Sequence, residues 1–262
     1  MGVEVKEQVY YYDEQSHSAF VCADTFDFLP KIQPESIDMI FADPPYFLSN
    51  DGFSCSGGRV VSVNKGSWDK IDSLEAKHEF NRKWLRLARK ILKPNGSIWV
   101  SGTLHNIYSV GMALEEEGFK ILNNITWQKI NPAPNLSCRY FTHSTETILW
   151  ARKNDKKAKH YYNYDLMKEI NGGKQMKDVW TGMATPKSEK QFGKHPTQKP
   201  EYLLEQIILA STRENDLILD PFVGSGTTCV VAKKLHRRFI GIDQEKEFLE
   251  IAIKRVKQVN GK

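Results

Sequence analysis

An apolar run, Ile37-Asp38-Met39-Ile40-Phe41-Ala42, ends in Asp43, Pro44, Pro45 and Tyr46. Each of these four residues suits one kind of chemistry. Ionised, Asp43 is an acceptor only. The prolines stiffen the turn and carry no N–H, so their carbonyls accept hydrogen bonds without offering a donor. Tyr46 adds an aromatic face. Together they suit a planar ring that bears an amino group: the acceptors take the amino hydrogens and the aromatic stacks on the ring. The plainer alternative is a rigid turn carrying a surface acid.

A second cluster lies in "LILDPFVGSGTTCVVA". Gly224 and Gly226 fall between a strand and a helix. Glycine there lets the backbone approach a ligand, and the helix N-terminus favours negative charge. A dinucleotide site would show GxGxxG, and this turn is one glycine short. Asp243 follows Gly226 by 17 residues, at the end of the next strand. An acid at about that offset takes a ribose hydroxyl pair. The pattern points to an adenosine-containing ligand other than NAD or FAD. Taken alone, the glycine turn could be a plain tight connection.

The elements that must position these residues are legible from periodicity. Strands are expected at 19–24, 36–43, 97–102, 119–129, 146–152, 216–222 and 238–243. Helices are expected at 73–92, 106–118, 199–212, 226–236 and 246–259, with Pro200 opening one of them. "KPNG" (93–96) reads as a turn, and 47–70, broken by glycines, as a long loop. Alternating strands and helices imply a mainly parallel, doubly wound α/β sheet. In such sheets ligands sit beyond the carboxyl ends of the strands, where Asp43 stands. Residues 153–194 break the rhythm and read as an insertion or small lobe.

The 262 residues, 40% hydrophobic, suffice for a full core. No apolar run is long enough to span a membrane, and the N-terminus lacks the pattern of a signal peptide. Cys22, Cys55, Cys138 and Cys229 are scattered. They suggest neither zinc nor disulfides, and a reducing cytoplasm is the simplest home. Net charge is +5, yet residues 152–199 alone carry +7, from twelve Lys/Arg against five acids. Tyr161, Tyr162, Tyr164, Trp180 and Phe192 lie in the same segment. Basic residues among aromatics suit a polyanion with stackable bases; a solvated surface is the alternative.

Asp43-Pro44-Pro45-Tyr46, followed by Phe222-x-Gly224-x-Gly226, resembles the S-adenosylmethionine-dependent amino-methyltransferases of DNA. The motif order, with the basic segment between, resembles their beta class, a circular permutation of the usual fold. "KPNGSIWVSG", "HSTETILWARK", "KHPTQKP" and "FIGIDQEKEFLEIA" are similar to further segments of that class, and the likeness spans about residues 18–257. Within the class, "ADPPYFLSN" and "GKHPTQKPEYLL" resemble the adenine methyltransferases of DpnII-type restriction systems, which modify GATC and include members active on single-stranded DNA.

The resemblance implies a Rossmann-like fold. Its mixed, seven-stranded, doubly wound sheet would carry helices on both faces in one catalytic domain spanning 1–262. Residues 153–194 would be the target-recognition insertion, and 47–70 a flexible loop near the active site. Asp43 and the Pro44 carbonyl would take the hydrogens of adenine N6, with Pro45 shaping the turn. Tyr46 would stack on the flipped base, and Phe47 would add a second wall. The backbone of Phe222, Gly224, Ser225 and Gly226 would hold the methionine part of the cofactor, with Thr227 at the helix start. His195 and Lys199 would lie near its carboxylate, Asp243 on its ribose and Asp24 on its adenine. Asp24 could instead be a helix N-cap, and His195 a plain loop residue. Arg59, Lys65, Trp68, Lys156, Lys157, Lys159, Lys174 and Lys177 would meet DNA, single- or double-stranded. A homodimer is expected, with no metal and no membrane. The rivals are a cytosine-N4 enzyme, which usually has Ser in place of Asp43; an RNA or protein-amide methyltransferase; and a nucleic-acid-binding protein with a dead cofactor fold.

Overall fold

The computed structural model describes residues 9–47, 53–56, 59–62, 73–193 and 195–259. In chain order the strands are β1 (Val9–Asp13), β2 (Ser18–Cys22), β3 (Ile37–Ala42), β4 (Phe53–Ser56), β5 (Arg59–Ser62), β6 (Leu92–Gly102), β7 (Phe119–Lys129), β8 (Thr145–Lys153), β9 (Val179–Gly182), β10 (Leu217–Asp220) and β11 (Arg238–Asp243). The helices are α1 (Thr25–Phe28), α2 (Leu74–Ile91), α3 (Ile107–Glu116), α4 (Tyr164–Ile170), α5 (Glu201–Ser211), α6 (Thr227–Lys234) and α7 (Lys246–Lys257).

One sheet runs in the order β1-β2-β11-β10-β3-β6-β8-β7-β9. Its centre, β2 to β6, is parallel. β8 is antiparallel to both β6 and β7, and β1 closes the other edge antiparallel to β2. The sheet is mixed as expected, with nine strands where seven were anticipated. Both additions are edges. β1 alternates half-buried and exposed positions, and the short β9 pairs in parallel with β7. Neither has the continuous apolar run that marks a central strand.

Each face of the sheet has its own core. Phe28 of α1, Trp84 and Leu85 of α2 and Val110 of α3 pack on one side. Leu203 and Ile207 of α5, Val230 of α6 and Leu249 of α7 pack on the other. The helix periodicity explains the burial: Trp84, Leu85, Ala88 and Ile91 of α2 face inward at helical spacing. Ser73 caps that helix, accepting from the Ala76 N–H at 3.1 Å.

Two local readings change. "KPNG" is absorbed into β6: the register opposite β3 jumps from Ile37–Leu92 to Met39–Ser97, so residues 93–96 form a bulge. Inside the stretch read as a loop, β4 and β5 pair as an antiparallel hairpin. The basic segment also folds onto the body of the protein, since β9 extends the sheet and buries Trp180 in the second core. Among the described residues, no helix is long and apolar enough to cross a membrane.

Candidate active site

β3 and β10 lie side by side and in parallel. One helical layer leaves each face, so their carboxyl ends border the crevice expected of a doubly wound sheet. A cleft of about 220 Å³ opens there. Its walls run from Asp43, Pro44, Pro45 and Tyr46 past His195 and Gly224 to Asp243 and Phe248.

At the β3 end, Asp43 is held by side chains. The Tyr46 hydroxyl donates to its Oδ1 at 2.5 Å. The Lys199 ammonium donates to its Oδ2 at 2.5 Å and to the Tyr46 oxygen at 2.8 Å. Glu146 Oε2 stands 3.5 Å from the same ammonium, and Lys129 pairs with Glu146 Oε1. Lys199 is buried. Burial alone would lower its pKa, but Asp43, Tyr46 and Glu146 outweigh it and raise it well above the usual lysine value. Burial would likewise push Glu146 up, but the two lysines hold it below the usual carboxylate range. Burial and the neighbouring Asp43 push the Tyr46 phenol well up, so it stays a neutral donor. The turn itself is anchored from α2 and α3. Asn106 donates to the Pro45 carbonyl at 3.1 Å, and buried Asn81 donates to Asn106 Oδ1 at 2.9 Å.

At the other end, Asp243 is held by backbone. The N–H groups of Gly224 and Glu245 each donate to it at 2.9 Å. Burial raises its carboxyl to about 6. Gly224 has φ +49°, and a Cβ there would meet the His195 ring at 3.0 Å. Glycine is thus required here by the backbone conformation and by the close approach of His195. Asp220, at the end of β10, accepts from the Phe222 N–H and the Thr228 hydroxyl, and burial raises it to about 7.

The expected residues fall into three groups. Asp24, Asp43, Pro44, Pro45, Tyr46, His195, Phe222, Gly224 and Asp243 line the cleft together. Asp24 also caps α1, accepting from the Phe26 N–H at 2.7 Å, so lining and capping coexist. Lys199, Ser225 and Thr227 border a smaller recess of about 40 Å³ that also reaches Asp43. Lys199, expected beside the cofactor carboxylate, has its ammonium on Asp43. Ser225 and Thr227 are tied to Arg255, which donates to the Ser225 carbonyl at 2.8 Å and the Thr227 hydroxyl at 2.9 Å. Gly226 borders neither space. It needs φ +79°, and a Cβ there would lie 2.5 Å from the Ala252 Cβ. Phe47 packs edge-on against Phe80 at 5.2 Å. Lys156, Lys157, Lys159, Lys174 and Lys177 are exposed. Arg59 lies on β5, while Lys65 and Trp68 lie outside the described residues.

Several lining residues escaped the sequence reading: Phe26, Phe80, Thr197 and Phe248. So did Glu146, Lys129 and Asp220. Asp220 carried a signal, an acid before proline at the end of an apolar run, like Asp43. Glu146 carried none, because its partner Lys199 is 53 residues away.

The cleft thus has a backbone-lined end at Gly224 and Asp243 and a carboxylate end at Asp43, the arrangement that the resemblance to amino-methyltransferases implies. Residues 37–254 match the DNA methylase family of N6 and N4 methyltransferases, and the chain belongs to that family. It is 77% identical over 249 residues to the Type II methyltransferase M2.DpnII of Streptococcus pneumoniae, covering 95% of this chain and 93% of that one. It is also 77% identical over 245 residues to M2.LlaDCHI of Lactococcus lactis subsp. cremoris, covering 94% and 91%. Among solved structures, the M1.HpyAVI–SAM complex superposes with TM-score 0.67 at 30% identity, over 90% of this chain and 98% of that one. The chain is thus similar to Type II DNA methyltransferases and to a solved methyltransferase in complex with SAM.

Proposed function

We propose that this enzyme methylates N6 of adenine in DNA, within GATC, on single strands as well as duplexes, as the protective partner of a restriction enzyme. The observation that carries the adenine reading is Asp43 at the end of β3, beside the bare Pro44 carbonyl and the Tyr46 ring. Adenine N6 is a poor nucleophile because its lone pair is delocalised into the ring. Asp43 and the Pro44 carbonyl accept its two hydrogens and turn the lone pair out of the ring plane, which is catalysis by positioning and electrostatics. A carboxylate has about four acceptor sites, so Asp43 serves the amino group while Tyr46 and Lys199 steady it. S-adenosylmethionine held in the cleft would supply an electrophilic methyl on a sulfonium, with the C–S bonding pair left on sulfur. Asp43 takes the N6 proton and passes it to solvent. Asp243 would hold the ribose, with Phe248 and Phe26 beside the adenine.

Two likenesses support GATC as the site: the motifs shared with DpnII-type adenine enzymes and the high identity to M2.DpnII. The single-strand reading rests on cost. An unpaired adenine avoids most of the few kcal/mol needed to unstack it from a duplex, and residues 152–199 offer both cations and aromatics for an open strand. We also take the enzyme to be a homodimer, which light scattering of the purified protein checks.

The test uses matched single- and double-stranded oligonucleotides, labelled cofactor and digestion to nucleosides. N6-methyladenine in both, only when GATC is present, is the expected outcome. N4-methylcytosine would overturn the adenine reading, and transfer confined to duplex at every salt would overturn the single-strand reading. Replacing one phosphate-contacting lysine should reduce the salt slope of binding by about 0.7 to 0.9.

A further inference from the structure

Residues 130–144 join β7 to β8 at the catalytic end of the sheet. Glu146, which reaches Lys199 and through it Asp43, and Lys129, which pairs with Glu146, stand at the two roots of this loop. The loop is firmly rooted. The Lys129 N–H donates to the Ser144 carbonyl at 2.7 Å, and the Ile130 N–H to the Gly182 carbonyl at 3.0 Å. The Ala184 N–H donates to Asn131 Oδ1 at 2.9 Å. Its far end is shaped from within. Asn135 accepts from the Ser137 hydroxyl at 2.7 Å and donates to the Tyr140 carbonyl at 2.5 Å.

What this scaffold presents is unusual for a soluble surface. Phe141 is 95% exposed and Tyr140 60% exposed, with Arg139 exposed beside them. A single exposed aromatic needs no explanation, but an apolar cluster displayed on an ordered loop marks an interaction site. The loop leaves the same end of the sheet as the cleft, since β8 starts beside the end of β6 and β6 lies next to β3, and it carries a cation suited to phosphate. Enzymes that act on a base within a duplex must pull it out of the stack, and apolar side chains inserted between base steps stabilise such distortion.

We propose that Phe141 is a wedge that enters the duplex where the target base leaves, with Tyr140 stacking beside it and Arg139 on the adjacent phosphate. The wedge lowers the cost of unstacking and so serves duplex DNA. A single strand has no paired stack to open and does not need it. The inference rests on DNA as substrate and on extrusion of the target base.

The test is Phe141→Ala, compared with wild type on four substrates: duplex, duplex with an abasic site opposite the target, duplex with a mismatch there, and single strand. Phe141 is on the surface, so its truncation removes no core packing. Methyl transfer to the intact duplex should fall by about 10- to 100-fold, the range of one lost base–aromatic stack. The abasic and mismatched duplexes should recover most of that loss, and Phe141→Trp should restore the intact duplex. The fluorescence of 2-aminopurine at the target position should rise on binding wild type and stay low with Phe141→Ala. An equal loss on all four substrates, or none on any, overturns the proposal. A change in oligomeric state in the variant would make the loop a protein interface and overturn it too. Should wild type ignore the single strand, the single-strand reading fails while the three duplexes still decide the wedge.

Discussion

Asp43 and Asp243 both end a strand of the sheet and both line the cleft, but they are held in opposite ways. Asp43 is gripped by the side chains of Tyr46 and Lys199. Asp243 is gripped by the backbone N–H groups of Gly224 and Glu245. Side chains can rotate and exchange partners, whereas backbone donors cannot leave without unmaking the turn. The difference matches the two tasks proposed for them. The carboxylate proposed to face the amino group would have to follow a nitrogen that changes shape during the reaction. The one proposed to face the cofactor would need only to be in place beforehand. Their surroundings differ too: Asp43 lies beside a buried ammonium, while burial raises Asp243 to about 6.

Removing Asp43 should have the largest effect. Asp43→Ala is expected to lower the maximal rate by about 100- to 1000-fold, the cost of one preorganised polar group acting on developing charge. Cofactor and DNA affinities should change little. Single-turnover transfer and equilibrium binding, measured on the same preparation, check this. Should DNA affinity fall as far as the rate, Asp43 would be a binding residue and the contrast with Asp243 would break.

The side-chain grip can be loosened one step further out. Glu146 lies between Lys129 and Lys199 and is nearly buried, so its loss leaves two cations facing each other. Glu146→Gln is expected to cost about 2 kcal/mol of stability near neutral pH, in the range of a broken hydrogen bond to a charged group. The sign with pH is fixed by the direction of the shift. The folded carboxyl is held below its usual value, so its contribution is full above that value and fades as pH falls through the lowered one. The gap between wild type and variant in urea midpoints should therefore close in acid. A gap independent of pH would mean that the charge of Glu146 does not hold Lys199.

How much of this was legible beforehand follows the same division. Asp43, Gly224 and Asp243 announced themselves because each ends an apolar run or breaks one, which are local patterns. The central strands and long helices were legible for that reason too. The grip on Asp43 was not, since Lys199 lies 156 residues away and Glu146 sits in a strand whose alternation gives no hint of a charged partner. Lys199 was noticed, but as a neighbour of the cofactor, because only the packing of β8 against β6 brings Glu146 to it. β1, β9 and α4 were missed because each is short and takes its stability from the elements it joins. The aromatic tip at Tyr140 and Phe141 stayed hidden because sequence cannot distinguish an exposed phenylalanine from a buried one.

The smallest effect is expected at the backbone-held end. Asp243→Asn keeps the size of the side chain but only one acceptor oxygen, so one of the two backbone N–H groups of Gly224 and Glu245 loses its partner while the other still holds the turn. What it loses is charge, to which ribose hydroxyls donate most strongly. The Michaelis constant for the cofactor should rise by about tenfold, equivalent to about 1.4 kcal/mol, with little change in maximal rate, because the ribose contact is the same before and during transfer. The raised pKa adds a second signature. Burial lifts the carboxyl from 3.8 to about 6, so wild type carries the charge only above about that pH. Ribose binding favours the charged form, so wild-type cofactor affinity should rise with pH through this range, with release of a proton on binding. Asparagine cannot ionise, and its profile should stay flat. The two proteins should therefore differ most at pH 8 and converge towards pH 5 in calorimetric titrations with S-adenosylhomocysteine. A wild-type profile as flat as that of the variant would mean that the ribose is held elsewhere, with Gln244, also on the cleft wall, as the next residue to change.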